Sequence, residues 1–207
     1  MNTPDLLEQG IAALGIAVTQ PQKEALLHYL SLLAKWNRVY NLTAVREASQ
    51  MVSHHLLDSL AVLPHLPCKR LLDVGSGGGL PGIVLAIMRQ DLQVVSVEAV
   101  DKKCSFQTQV KIALGLKNFT VKHARVENLG DDQGYDGIIS RAFSDLAQFA
   151  SLTQALVATK GYLYAMKGVY PLDEIARLPE GFAVDRVIKL EVPGLGAERH
   201  LVIIQRH

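Results

Sequence analysis

The stretch Arg70-Leu-Leu-Asp73-Val-Gly75-Ser76-Gly77-Gly-Gly79-Leu80-Pro-Gly82 is an apolar run that enters a cluster of glycines. Leu80–Arg89 beyond it reads as a helix, with Pro81 in its first turn. Glycines let the backbone turn sharply and approach a ligand closely, and the N-terminus of a following helix offers N–H groups. Two patterns overlap here. Gly77-x-Gly79-x-x-Gly82 matches the dinucleotide fingerprint, whose second glycine makes room for a pyrophosphate. That match begins four residues after Asp73, however, and a carboxylate at a strand end repels a nearby pyrophosphate. The pattern in phase with the strand is Asp73-x-Gly75-x-Gly77-x-Gly79. It suits a ligand whose near end is cationic and zwitterionic, as S-adenosylmethionine is.

Working outward, Gln93–Val97, Phe119–Val121, Tyr135–Ser140 and Gly161–Met166 read as strands, with Asp101–Leu114 and Ser144–Thr159 as helices between them. This alternation predicts an α/β fold: a doubly wound, mostly parallel sheet with helices on both faces. Val184–Val192 and Leu201–Gln205, joined by the turn-rich Pro193–Ala197, read instead as a C-terminal antiparallel hairpin. Residues 1–66 read as helical. Asp5–Leu14 is closed by Gly15, and a longer helix opens at Thr19-Gln-Pro21 with Leu26, Tyr29, Leu30, Leu33, Trp36 and Tyr40 on one face. Asn41-Leu-Thr43 ends it, and a further helix over Ala48–Leu63 precedes Pro64 and Pro67. The expected division is a helical extension over 1–66 and a Rossmann-like domain over 67–207.

Composition sets outer limits. The 207 residues carry 21 Lys and Arg against 20 Asp and Glu, a net charge of +1, and mean hydropathy is +0.17. The balance holds along the chain, so indiscriminate binding of nucleic acid by gross charge is excluded, and an anionic partner needs a local patch. The first basic residue is Lys23, so the N-terminus lacks the charged region of a secretory signal, and the longest apolar stretches are broken by Gly and Pro. Cys68 and Cys104 form neither a disulfide framework nor a zinc pattern, which fits a reducing cytoplasm and inert thiols.

Glu98 closes the second strand 23 residues after Gly75, where an acidic side chain accepts hydrogen bonds from ribose hydroxyls. This position serves NAD and S-adenosylmethionine alike. His123-Ala-Arg-Val126-Glu127 follows the third strand and borders an adenine ring in this topology. Ser140-Arg141-Ala-Phe143 follows the fourth and points Arg141 at the reaction site. The chain lacks the Asn/Asp-Pro-Pro-aromatic signature of amine methylation, and it has no Gly-x-Ser-x-Gly, His-Glu-x-x-His or P-loop. An acceptor with its own lone pair, such as a purine ring nitrogen, needs no base; in-line positioning and electrostatic fit are enough.

Six motifs occur in order: Trp36-Asn-x-x-Tyr-Asn41-Leu-Thr43, His55-x-x-Asp58-Ser59, the glycine loop through Leu-Pro-Gly-Ile83, Ser140-Arg-Ala-Phe143, Met166-Lys-Gly168 and Gly196-x-Glu198-Arg-His200. Together they resemble the bacterial 16S rRNA methyltransferase G family, also called glucose-inhibited division protein B, over nearly the whole chain. The resemblance implies a class I fold that uses S-adenosylmethionine as cofactor. It implies methylation of guanine N7 in the 530 loop of 16S rRNA, the activity of a 16S rRNA (guanine(527)-N(7))-methyltransferase. Carried over by position, Gly75 and Leu80 hold the methionine end, Val126 and Glu127 hold the adenosine, and Arg141 borders cofactor and target base as the catalytic side chain. Asp73, Ser76, Gly77, Gly79 and Glu98 complete the expected cofactor site. The expected partner is 16S rRNA, the small ribosomal subunit or an assembly intermediate, met by a cytoplasmic monomer with no metal and no membrane contact. The competing readings are an NAD-dependent oxidoreductase, a non-catalytic RNA-binding module and a methyltransferase of another substrate.

Guanine N7 and O6 are acceptors that Arg or Lys address in pairs. Arg141, Lys167 and Arg199 are candidates for that contact, and Lys35, Arg38, Arg46, Lys102 and Lys103 for an RNA patch around the same crevice. His54, His55 and Asp58 have the helical spacing of metal ligands, but a metal has no role in this transfer. A buried hydrogen-bonding network joining the helical extension to the domain is favoured for them. Trp36 on its apolar face reads as core rather than as a base-stacking platform.

Overall fold

The computed structural model describes residues 2–130, 133–141, 143 and 145–207. Seven strands form one sheet: β1 (Arg70–Val74), β2 (Gln93–Glu98), β3 (Phe119–His123), β4 (Tyr135–Ser140), β5 (Val157–Lys167), β6 (Phe182–Lys189) and β7 (His200–Arg206). Their order is β3-β2-β1-β4-β5-β7-β6. The first five run parallel, and β7 pairs antiparallel with both β5 and β6. The expected hairpin is present, with its second strand on the inside.

Consecutive side chains on a strand point to opposite faces. Leu71, Ile139, Tyr164, Leu201 and Ile203 therefore join one apolar cluster, while Leu72, Ile138, Leu163, Val202 and Ile204 join the other. The first face is covered by α5 (Gly82–Met88) and α6 (Asp101–Leu114), the second by α7 (Leu146–Thr153). The N-terminal helices α1 (Thr3–Leu14) and α2 (Gln20–Tyr40) deepen the first face. Leu7, Leu26, Tyr29 and Leu33 are buried in the same cluster as α5 and α6. α1 is capped by Asn2 and ends at left-handed Gly15, and Thr19 and Gln22 close a capping box on α2.

Several element boundaries depart from expectation, those of three helices among them. The helix expected over Ala48–Leu63 is α3 (Ala48–Met51), a π-helical turn (Val52–Leu57) and α4 (Asp58–Leu60). The helix expected over Ser144–Thr159 ends at Thr153, and its start at Ser144 lies outside the described residues. Val157, Ala158 and Thr159 already belong to β5, where cross-strand pairing with β4 outweighs the helical periodicity. Tyr135 pairs with Val157 but Gly137 pairs with Tyr162, so β5 bulges between these pairs, where Lys160 has a φ of 66°. The bulge separates Val157 from the Gly161 start that the sequence suggested. The third of these helices is α5, which begins at Gly82 rather than at Leu80.

From β1 the chain winds outward through β2 to β3, and from β4 it winds the opposite way. The reversal lies between β1 and β4, so a crevice opens outside the carboxyl ends of these two strands. The glycine loop leaves β1 and Arg141 leaves β4 at that point.

Candidate active site at the sheet switch point

A cleft of about 260 Å³ is lined by Leu33, Leu42, Thr43, Gly75, Ser76, Gly77, Gly78, Leu80, Lys103 and Arg141. A larger depression of about 480 Å³, between α1 and the π-helical turn, has no charged residue in its lining. The switch-point cleft combines the glycine loop with convergent cations, Lys103 and Arg141, which marks it as the candidate site.

One wall is backbone. Gly75, Gly77 and Gly79 have φ of 66°, 57° and 83°, values that favour glycine. A Cβ on Gly77 would meet nothing within 4 Å, so this glycine faces open space, whereas one on Gly79 would lie 2.2 Å from Ile83 Cδ1. The loop is fixed from behind by a ring of hydrogen bonds. Ser76 Oγ lies 2.5 Å from Ser96 Oγ, Ser96 Oγ donates to Gln107 Oε1 at 2.5 Å, and Gln107 Nε2 donates to Ser76 Oγ and to the Gly77 carbonyl, each at 2.8 Å. Glu98 accepts from the Gly77 N–H and the Val100 N–H, each at 2.9 Å. From the helical extension, Tyr29 donates to the Gly78 carbonyl at 2.8 Å.

Asp73 is fully buried and does not line the cleft. Its Oδ2 accepts from the Gly82 N–H at 2.7 Å, and a Cβ on Gly82 would lie 2.6 Å from that oxygen. Gly82 is thus glycine because Asp73 packs on it, which accounts for the third glycine of the dinucleotide-like pattern without a pyrophosphate. It also corrects the expectation of N–H groups at the helix start: the Gly82 N–H is taken by Asp73 and that of Ile83 by the Gly79 carbonyl. Asp73 Oδ1 has no partner among the described residues. Burial raises the Asp73 carboxyl to about 7, against the Gly82 hydrogen bond and the Arg141 charge, which lower it.

The other wall is charged. Arg141 Nη1 donates to the His54 carbonyl at 2.9 Å and to Asp58 Oδ2 at 3.2 Å, and Arg199 Nε donates to Asp58 Oδ1 at 2.9 Å. Asp58 is completely buried. The network expected between extension and domain is therefore present, though its members split up. His54 turns to the Gln50 carbonyl, His55 Nε2 lies 3.0 Å from Thr43 Oγ1, and Asp58 faces the two arginines. Among the described residues no group of three His, Cys, Asp or Glu is placed to hold a metal. Burial, reinforced by the Arg141 charge, lowers His55 to about 4.

The candidate residues do not all converge. Lys103 lines the cleft, and Lys102 is exposed beside it at the start of α6. Lys35 and Arg38 line a separate depression with Thr3 and Pro4. Arg46 donates to the Asn37 carbonyl and to Asn41 Oδ1, which secures the Asn-Leu-Thr turn. Lys167 is almost wholly buried, 2.7 Å from Glu174 Oε2. Val126 is buried in the second apolar cluster and Glu127 is exposed, both in the turn after β3. A bond from the Ala124 N–H to the Glu98 carbonyl ties that turn to the end of β2. Ala142, within the Ser140–Phe143 motif, lies outside the described residues. Both cysteines are buried, and burial pushes the Cys68 thiol up to about 11. Trp36 packs against Phe106 and Tyr40, as a core residue does. Sequence reading missed Gln107, an ordinary polar residue within a helix, and the parts played by Tyr29, Leu33 and Leu42. Only the Asn41-Leu-Thr43 motif pointed to that side of the cleft.

A mostly parallel sheet with its glycine loop and terminal acid at the switch point, finished by an antiparallel hairpin, defines a class I S-adenosylmethionine-dependent methyltransferase. Solved structures share the fold. An S-adenosylmethionine-dependent methyltransferase from Aquifex aeolicus has a TM-score of 0.60 at 22% identity, covering 73% of this chain and 91% of its own. The 1,6-didemethyltoxoflavin-N1-methyltransferase of Burkholderia thailandensis, solved with S-adenosylhomocysteine, has a TM-score of 0.58 at 12% identity, covering 92% of each chain. The sequence profile of the rRNA small subunit methyltransferase G family matches residues 22–202, and the chain belongs to that family. Relatives named ribosomal RNA small subunit methyltransferase G include one from Aromatoleum aromaticum, 58% identical over 97% of this chain and 98% of its own length. Another, from Azoarcus sp., is 57% identical over 97% and 95%.

Proposed function

We propose that this chain transfers a methyl group from S-adenosylmethionine to guanine N7 in the 530 loop of 16S rRNA. The observation that carries the reading is the switch-point cleft itself, where an open glycine loop faces an arginine anchored to the helical extension. The residues fit the cofactor: Gly77 leaves space where a side chain would stand, and Leu33, Leu42 and Leu80 give an apolar lining beside Arg141 and Lys103. When bound, S-adenosylmethionine supplies an electrophilic methyl group on a sulfonium.

The chain's own residues orient the reactants. Gly75 and Leu80 hold the methionine end, Glu98 the ribose, and Val126 and Glu127 the adenosine. Ser76, Gly79 and buried Asp73 maintain the loop behind them. Arg141 borders the donor and addresses the target base, for which guanine O6 is the matching acceptor. N7 attacks with its own lone pair, so neither Asp58 nor Glu127 acts as a base. Lys102, Lys103 and Arg199 supply RNA contacts at the rim, and Lys35, Arg38, Arg46 and Lys167 belong to outlying surface or structural support. With few phosphate contacts, salt dependence is modest.

In this reading residues 1–66 act as a helical extension that walls the cleft, and residues 67–207 as the methyltransferase domain. The protein works as a monomer in the cytoplasm, on 16S rRNA within the small subunit or its precursors. Among the described residues no helix is long and apolar enough to cross a membrane. Incubation with radiolabelled S-adenosylmethionine tests the reading: label is expected in small-subunit RNA. Label in another RNA or in protein, or tight binding of NAD with none of S-adenosylmethionine, would overturn it.

A further inference from the structure

We infer that Asp58 is a positioning residue that holds Arg141 and Arg199 as a single donor unit at the transfer site. The inference rests on the reaction proposed above. The two arginines lie 83 and 141 residues along the chain from Asp58 and reach opposite oxygens of its carboxylate, at 3.2 and 2.9 Å. A buried carboxylate that meets two guanidinium groups is paired on both oxygens, and the three-residue cluster keeps one net positive charge. Of the two, Arg141 lines the switch-point cleft, and the arginines are 29% and 24% exposed while Asp58 is fully covered.

The local backbone is shaped for this arrangement. In the π-helical turn the Asp58 N–H bonds to the Ser53 and His55 carbonyls, and the Ser59 hydroxyl takes a second bond to the His55 carbonyl at 2.6 Å. The His54 carbonyl accepts from Arg141. π-Turns are rare in helices and recur at functional sites. The Arg199 Nη1 group is held by the Glu198 carbonyl at 2.9 Å. For both arginines Nη2 has no partner among the described residues, which leaves these donors for a base edge or phosphate. Asp58 itself touches no reactant; it acts through the two arginines.

Asp58→Ala would strand two guanidinium groups and risks misfolding, so Asp58→Asn is the informative variant. Its amide retains one acceptor and turns N–H groups toward the other arginine. Single-turnover transfer to small-subunit RNA is measured for the wild type, Asp58→Asn, Arg141→Ala and the double variant, alongside S-adenosylmethionine affinity. Asp58→Asn is expected to slow transfer about tenfold to a hundredfold, with cofactor affinity changed less than about twofold. In the Arg141→Ala background the same change is expected to cost less than about threefold, because the two residues act as a unit. As a readout independent of activity, the Arg199 Nε–H signal in the NMR spectrum of the ligand-free protein is expected to exchange slowly in the wild type and rapidly in Asp58→Asn. Full-rate transfer by Asp58→Asn, equal losses in both backgrounds or an unprotected Arg199 signal in the wild type would overturn the inference. A wild type that methylates no small-subunit RNA would instead overturn the proposed reaction, and the Arg199 signal would still decide whether the clamp exists.

Discussion

The two walls of the cleft each hide a fully buried aspartate, and the two are treated in opposite ways. Asp58, on the charged wall, is met by two guanidinium groups. Asp73, behind the backbone wall, has one strong N–H donor and a second oxygen with no partner among the described residues, and its carboxyl is raised to about 7. Burial disfavours a carboxylate in both places; what differs is the compensation. On the charged wall the carboxylate accepts from two arginines and so orients them, whereas behind the backbone wall the Asp73 carboxyl packs on Gly82 and supports a loop whose work is shape. Lesions in the two walls should therefore separate cofactor binding from methyl transfer.

The largest effect is expected on the backbone wall. Gly77→Val places a β-branched side chain at a φ of 57° and fills the open space before the loop. Cofactor affinity should fall about a hundredfold or more, measured by calorimetric titration; wild-type affinity would break the comparison. On the charged wall, Arg141→Ala should reduce single-turnover transfer about a hundredfold, with cofactor affinity weakened less than about threefold. Equal losses in both quantities would mean that the walls are not distinct.

A smaller effect concerns pH. Between about 4 and about 7 the folded protein holds a proton on Asp73 that the unfolded chain releases, so this group makes stability fall as pH rises. His55, lowered to about 4, does the opposite: between about 4 and about 6.5 the unfolded chain binds a proton that the folded one refuses, so stability rises with pH. The two slopes oppose one another over most of that window. Asp73→Asn removes the first, and its urea midpoint should climb more steeply from pH 4.5 to 6.5 than that of the wild type, by about 1 kcal/mol or more in stability. Parallel profiles would show that Asp73 does not titrate there. The smallest effect is expected at Lys35 and Arg38, which line a depression apart from the cleft. Replacing both with Ala should leave cofactor affinity unchanged and transfer within about twofold.

The backbone wall was largely legible in the sequence, because glycines, a strand-end acid and strand–helix alternation leave short-range signals. Asp73 and Glu98 stand at the ends of β1 and β2, with Gly75 and Gly77 in the loop that follows β1, where spacing put them. Their division of labour was not legible: only the fold reveals that Gly82 serves Asp73 and that Gln107 ties the loop down. The charged wall was legible in part. Arg141 follows directly from its place after β4, whereas its partnership with Asp58 spans 83 residues, which no local pattern encodes. The π-helical turn was invisible too, since no short-range pattern in Val52–Leu57 distinguishes it from an α-helical turn. The start of β5 was missed because Ser144–Thr159 carries apolar residues at helical spacing, while pairing with β4 claims Val157. A near-neutral chain also concealed where its cations go: some reach the cleft, and Lys167 is paired within the protein.

Methyl transfer to guanine N7 is tested most directly by mass mapping of 16S rRNA methylated in the presence and absence of the protein. N7-methylguanine is expected in the 530 loop only when protein and S-adenosylmethionine are both supplied. A methyl group on another atom or another nucleotide, or a 530 loop that stays unmodified, would contradict it.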